Sequence, residues 1–292
     1  IIDAAKRNGV MIQYGTQQRS NSHFQRATML AKRGYLGEVD CVYAIAPPGP
    51  VDGDPAPIAP PAGLDYDFFT GPAPSTPYVE GLALRKGTPG WYFLSPFSGG
   101  WITAWGSHHV DSAQWALGKD GEAPVKIEAR GSRPPGGAWD TVWEWYSEMT
   151  YADGKKLIYM SSNRPEMPAV KGNIVVAGSK GWAAATRGRF SSKPPHLARI
   201  SLPVDDPEFQ HIRRGGDAMH YVNFIDAIRY GTRQNTTMEI GQQSTNLCHL
   251  TNIAIEAQRP LQWDGDKEAI PNDPVANRML GRPMRAPWKL PA

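Results

Sequence analysis

The chain has 292 residues, of which 40% are hydrophobic and 20% charged, and 30 Gly with 27 Pro lie well above the usual share of about 12%. That length buries a core as one large domain or two ordinary ones; the absence of a repeat period excludes collagen, and ten Trp, eleven Tyr and eight Phe exclude low-complexity disorder, so the Gly and Pro excess means long, turn-rich loops. The net charge of +3 is scattered, which disfavours nucleic-acid binding, and no apolar run approaches the ~18 residues that a membrane-spanning helix needs.

The chain opens Ile1-Ile2-Asp3 with neither Met nor signal peptide, as though inside an element. Ile1 to Asn8 reads as the last turns of a helix, with Lys6 and Arg7 suiting its negative end and Gly9 its left-handed stop. Val10 to Tyr14 reads as a short buried strand. Ser20, Asn21 or Ser22 caps a helix whose apolar positions Phe24, Ala27, Leu30 and Ala31 keep helical spacing up to Gly34. Val39 to Ala46 is a further strand. From Pro47 to about Phe97 the Pro-Pro, Gly-Pro and Asp-Gly punctuation excludes a regular element, and so long a loop is usually functional or interfacial.

A helix is expected from Trp105 through Leu117, stopped by Gly118. Val125, Ile127 and Ala129 alternate, Thr141 to Tyr151 is rich in β-branched and aromatic residues, and Lys156 to Met160 and Asn173 to Ala177 are strand-like, an antiparallel meander. Two helices follow, one carrying Tyr221, Phe224, Ile225 and Ile228 and ending at Gly231, the other carrying Leu247, Leu250 and Ala254. The fold class is α+β, a large, mostly antiparallel sheet with helices on one side burying those stripes. Cys41 and Cys248 read as buried free thiols, with a single bridge as the other arrangement.

The densest chemical constellation runs from Gly99-Gly100 to His108-His109-Val110-Asp111. His108 and Asp111 are three apart and share a helix face, and an imidazole beside a carboxylate after a flexible Gly-Gly turn suits proton transfer at a cleft wall. The same pair also suits a cap and brace. Adjacent residues on a helix point about 100° apart, so His108 and His109 are not expected to share a metal ion. His220 and His249 are expected in hydrogen-bonded structural roles. No Gly-x-Ser-x-Gly elbow, Cys-x-x-Cys pair or phosphate-cradling loop occurs, and the Gly pairs at 99, 136 and 215 lack a strand-turn-helix context. Gln17 and Arg19 sit where a strand end turns into a helix, the place where open α/β sheets bind ligands; the alternative is a loop with solvated polar side chains.

Four stretches in this order resemble the Gfo/Idh/MocA family of nicotinamide-dependent oxidoreductases: Gln13 to Ser20 with Gly34 to Val39, Leu64 to Pro74, Gly99 to Trp115, and His220 to Phe224 leading to Cys248 to Ala254. The resemblance implies an N-terminal Rossmann domain that binds NAD or NADP and a C-terminal domain whose sheet closes the substrate site and often makes a homo-oligomer interface. On this mapping, residues 1–20 are the end of the Rossmann domain and 21–292 the substrate-binding and oligomerisation domain. The Gly-x-Gly-x-x-Gly loop and the Glu-Lys-Pro segment with its lysine belong upstream of Ile1. The family's His maps to His108, and its Asp four residues earlier is Ala104 here.

The function implied is NAD(P)-dependent oxidation or reduction of a hydroxyl or carbonyl group on a sugar, inositol or related polyol. His108 is the expected acid/base, Asp111, Trp91, Trp101 and His109 the substrate contacts, and Gln17 and Arg19 the cofactor side; the two Trp also suit a core or interface. An NAD-dependent glycosidase of the same fold and a non-catalytic sugar-binding or oligomerising module are the alternatives. The 292 residues alone are not expected to bind the dinucleotide tightly. No partner among nucleic acids or membranes is expected, and the compartment stays open, with cytoplasm ahead of export.

Overall fold

The computed structural model describes residues 1–83, 87–166, 168–201 and 218–290; the Gly pair at 215 lies outside them. The first expected helix spans Ile2–Asn8 (α1) and stops at Gly9, but none of its residues is buried. The strand expected over Val10 to Tyr14 does not form. A ladder needs a neighbour, and none of the eight strands lies beside this stretch, which leaves Val10 and Met11 exposed. A 3-10 turn over Gln17–Ser20 follows. Asn21 then caps α2 (Ser22–Lys32), its side chain accepting from the His23 amide at 3.0 Å, and Phe24, Ala27 and Leu30 of the expected stripe are fully buried.

β1 (Cys41–Ala46) is an unbroken apolar run, the pattern of a strand covered on both faces. Among its described residues, the long loop after it holds a one-turn helix, α3 (Tyr66–Thr70), and a 3-10 turn over Gly90–Phe93. Tyr78, Leu82 and Phe93 of this loop form a separate small core with Trp139, which precedes β3. Gly99-Gly100 turns the chain into α4 (Gly100–Ala104), with Gly100 at a left-handed φ of +69°, and α5 (Gly106–Leu117) follows at once and ends at Gly118.

The meander comprises β2 (Lys126–Ser132), β3 (Glu144–Thr150), β4 (Lys156–Ser161), β5 (Ile174–Gly178), β6 (Gly181–Ala185) and β7 (Phe190–Lys193). After α6 (Met219–Tyr230) and α7 (Met238–Ala257) come the short β8 (Leu261–Gln262) and α8 (Pro274–Arg278). The eight strands among the described residues join one sheet in the order β7-β6-β5-β1-β4-β3-β2-β8. β1 enters the middle of the meander, antiparallel to β5 and parallel to β4, with Val42 opposite Leu157. The other pairings are antiparallel.

Helices α2, α5 and α7 pack on one face of the sheet, where Val42, Trp145, Tyr159 and Val176 meet Phe24, Val110 and Leu250. The opposite face gathers Ile45, Ile158, Met160 and Val175, flanked by half-buried Tyr43, Tyr146 and Trp182, and among the described residues no helical residue enters that cluster. This is the expected α+β arrangement with helices on one side. Both cysteines are free thiols, Cys248 buried and Cys41 half-buried.

The stripe on α6 faces the other way from expectation. Its helical period is correct, but Tyr221, Ile225 and Ile228 are exposed and His220, Asn223 and Ala227 are buried. Polar bonds decide the orientation, because His220 and Asn223 bond to the chain segments beneath the helix. On α7 the expected Leu247, Leu250 and Ala254 are buried.

Candidate active site

The site is built around the start of α5. Trp105 keeps a right-handed helical backbone between α4 and α5, and its carbonyl accepts from the amides of both His108 and His109, at 3.1 and 2.9 Å. Gly106 lets α5 approach its neighbours: a Cβ there would lie 2.5 Å from Cys248 Sγ and 3.1 Å from the Tyr159 hydroxyl. That hydroxyl lies 3.1 Å from the carbonyls of Trp101 and Ile102, so β4 holds the end of α4 while α7 backs α5. His108, half-buried, is therefore carried on a helix start pinned from two sides.

His109 does not face a substrate. Its ring is fully buried 5.2 Å from the Trp105 ring, and burial, with the nearby His108 and Arg187 adding to it, pushes its pKa down to about 3. It is a neutral core imidazole at pH 7. Among the described residues, no group of three His, Cys, Asp or Glu side chains gathers as a metal-ligand set.

Asp111 does not pair with His108 or line a substrate surface. Arg19 Nε donates to its Oδ2 and Arg19 Nη2 to its Oδ1, both at 2.8 Å, and the same guanidinium bonds Asp120 at 2.7 and 2.8 Å. Burial pushes the Asp111 carboxyl up and Arg19 pulls it back; the bidentate geometry requires the carboxylate. For Arg19, burial opposes the charge, yet the Asp111 and Asp120 carboxylates together hold its pKa above the ordinary guanidinium value. Its guanidinium also lies 5.2 Å from the centre of the Trp115 ring. Arg19 therefore fastens the turn before α2 to α5, and its place on the cofactor side is corrected. Gln18 is likewise drawn inward, accepting from Ser112 at 3.2 Å, and only Gln17 of the three is half-exposed.

Trp91 and Trp101 belong to one aromatic run that leads to α5. Trp91 stacks on Tyr92 at 4.1 Å, Tyr92 lies 5.9 Å from Trp101, and Trp101 lies 5.8 Å from Trp105. Both expected Trp residues are half-buried. The exposed Arg187, at the β6–β7 turn, lies 5.3 Å from the Trp105 ring centre and was not anticipated.

A polar latch beside this site also went unanticipated. His220 bonds the Tyr14 carbonyl at 2.8 Å and the Ser20 hydroxyl at 3.0 Å, and Thr236 donates to the same carbonyl at 2.7 Å. The Tyr14 hydroxyl shares a 2.7 Å bond with Thr245, and burial raises its pKa, so it stays neutral. These partners are 200 or more residues apart, and a structural role for His220 was the only part legible beforehand. A cavity of about 460 Å³ beside α7 is lined by none of the expected site residues.

The family profile described as "Oxidoreductase family, C-terminal alpha/beta domain", the Gfo/Idh/MocA second C-terminal type, matches residues 53–290. Among solved structures, the chain is similar to the WlbA dehydrogenase from Chromobacterium violaceum in complex with NADH and UDP-GlcNAcA, at 14% identity and TM-score 0.58, over 91% of this chain and 66% of that one. It is similar to the WlbA dehydrogenase from Bordetella pertussis with the same two ligands, at 15% identity and TM-score 0.58, over 90% and 67%. GenD2 from gentamicin A biosynthesis, in complex with NAD, is matched at 18% identity and TM-score 0.57, over 90% and 66%. The chain thus spans about two thirds of the length of these structures. No curated protein matches it in sequence. Among the described residues, no helix is long and apolar enough to cross a membrane.

Proposed function

The chain belongs to the Gfo/Idh/MocA oxidoreductase family, and from that premise we propose that the protein is an NAD(P)-dependent oxidoreductase acting on a hydroxyl or carbonyl group of a sugar, inositol or related polyol. The observation that carries this reading is His108, half-buried on the pinned start of α5 and next to an aromatic run. An imidazole so placed takes the hydroxyl proton in oxidation and returns it in reduction. Trp91 and Trp101 offer apolar ring faces to the C–H surface of a sugar.

A bound nicotinamide would supply the hydride chemistry. The residues of this chain do not fit the dinucleotide as a whole: Arg19 is engaged by two carboxylates, and the sequence holds no Gly-x-Gly-x-x-Gly turn between strand and helix. Gln17 alone remains a contact at its edge. Residues 1–20 are accordingly read as the end of a cofactor-binding domain and 21–292 as the substrate domain. Bare α1, exposed Val10 and Met11, and the outward stripe of α6 support a second domain covering them. The sheet face that carries no helix among the described residues, with Tyr43, Tyr146 and Trp182, is read as the homo-oligomer surface.

Ala104, half-buried at the end of α4, offers no carboxylate to His108, and this favours a second reading as a sugar-binding module without turnover. NAD(P)-linked turnover over a panel of sugars and inositols, with product analysis and with the proposed cofactor-binding domain present, separates the two. Reduced or oxidised cofactor accumulating with an altered sugar supports the oxidoreductase; sugar binding without cofactor turnover supports the module.

A further inference from the structure

Asn246, His249, Leu250, Ile253 and Glu256 follow one another along one side of α7 at three- and four-residue spacing. Between this side, the loop through Ser95 and Gly99, and the C-terminal segment through Met279 and Arg282 lies the cavity of about 460 Å³. Small-molecule sites fall in a range of about 300–1,000 Å³. Its apolar wall is well packed, since Val142, Leu250, Ile253 and Trp263 are only 1–7% exposed.

The polar groups at its mouth are unevenly charged. Arg133 is paired with Glu256 at 3.0 Å. Arg282 has no carboxylate partner among the described residues, and its guanidinium reaches only the carbonyls of Pro96 and Ser98, at 3.5 and 3.4 Å. The exposed His249 ring makes no hydrogen bond among the described residues. Its partial burial and the Arg282 charge hold its pKa below the ordinary imidazole range, so at pH 7 it offers a neutral donor and acceptor. Two guanidiniums against one carboxylate leave a net positive mouth over an apolar wall.

We propose that this cavity is a second small-molecule site, separate from the one at His108, which takes an organic anion with an apolar body, such as an aryl or alkyl carboxylate. The anionic group pairs with Arg282, His249 bonds its second polar atom, and the body lies on Leu250, Ile253 and Trp263. A free cation meets repulsion there. A neutral polyol leaves Arg282 without its counter-charge and the wall without an apolar partner.

The test is calorimetric titration of the chain with 3-phenylpropanoate and octanoate, and with 3-phenylpropanol as the neutral counterpart. At least one acid is expected to bind, with the alcohol weaker by about tenfold or more, the loss that follows removal of a charge-assisted hydrogen bond. Arg282→Gln is expected to bring the acid down to the alcohol's level, and His249→Gln to weaken it. Arg282 also borders a neighbouring cavity lined by Pro74, Phe97 and Met284, so Met284→Ala is the control that separates the two; it leaves binding unchanged. Circular dichroism confirms that each variant is folded. Failure of both acids to bind at millimolar concentration overturns the proposal, as does equal binding of acid and alcohol, or sensitivity to Met284→Ala in place of His249→Gln.

Discussion

Arg19 and Asp111, 92 residues apart, face each other through two hydrogen bonds of 2.8 Å, with Arg19 3% exposed and Asp111 fully buried. Removing one partner of such a pair leaves an uncompensated buried charge, at a cost of about 3–5 kcal/mol. Arg19→Met and Asp111→Leu are each expected to destabilise the fold by that order in urea unfolding, and the double variant by less than the sum. Additive losses would show that the two groups do not act as a unit.

The close approach of α7 to the segment before α2 makes a second prediction. A Cβ at Gly241 would lie 2.3 Å from the Tyr14 ring, so Gly241→Ala forces the ring from its bond with Thr245. The expected cost is about 1–3 kcal/mol, the usual penalty of overpacking. Hydrogen exchange should speed up over residues 12–20 in this variant, and unchanged protection there would contradict the latch.

Acid stability follows from His109. Its folded pKa of about 3 lies below the ordinary 6.5, so the unfolded chain binds the extra proton first as pH falls. The contribution is complete above about pH 6.5 and is lost progressively down to about pH 3, by at most about 1.4 kcal/mol per pH unit. His109→Gln, compared with the parent by urea titration at several pH values, should flatten the slope in that window. An unchanged slope would assign the acid sensitivity to other groups.

The chain alone should bind NAD or NADP poorly, because Arg19 is not available and no glycine-rich turn presents backbone amides to the phosphates. Titration by calorimetry is expected to give no better than about millimolar affinity. Micromolar binding would place a dinucleotide site within these residues and overturn that part of the account.

Local signals carried much of the architecture. The helix through Leu117 stops at Gly118 as expected, and the apolar run of β1 appears as a strand in the middle of the sheet. Short strands were harder: β6 is Gly-Trp-Ala-Ala-Ala, β7 Phe-Ser-Ser-Lys, and β8 only two residues, none with the β-branched alternation that marks a strand. At the site, helical spacing placed His108 and Asp111 near one face. It could not show that an arginine from far away in the chain saturates the carboxylate, or that His109 points into the core. For α6, period identified the stripe but not which side was inside, since His220 and Asn223 hold the helix by bonds that have no periodic signature.

The most direct test of the functional claim is NAD(P)-linked turnover by these residues joined to the cofactor-binding domain that residues 1–20 are proposed to end, with and without His108→Ala, on a panel of sugars, inositols and related polyols. The account predicts measurable turnover on at least one substrate, reduced about 10²–10⁴-fold in kcat by the substitution, the usual contribution of a positioned acid/base. Turnover that His108→Ala leaves intact, or sugar binding with no cofactor turnover at all, would contradict it.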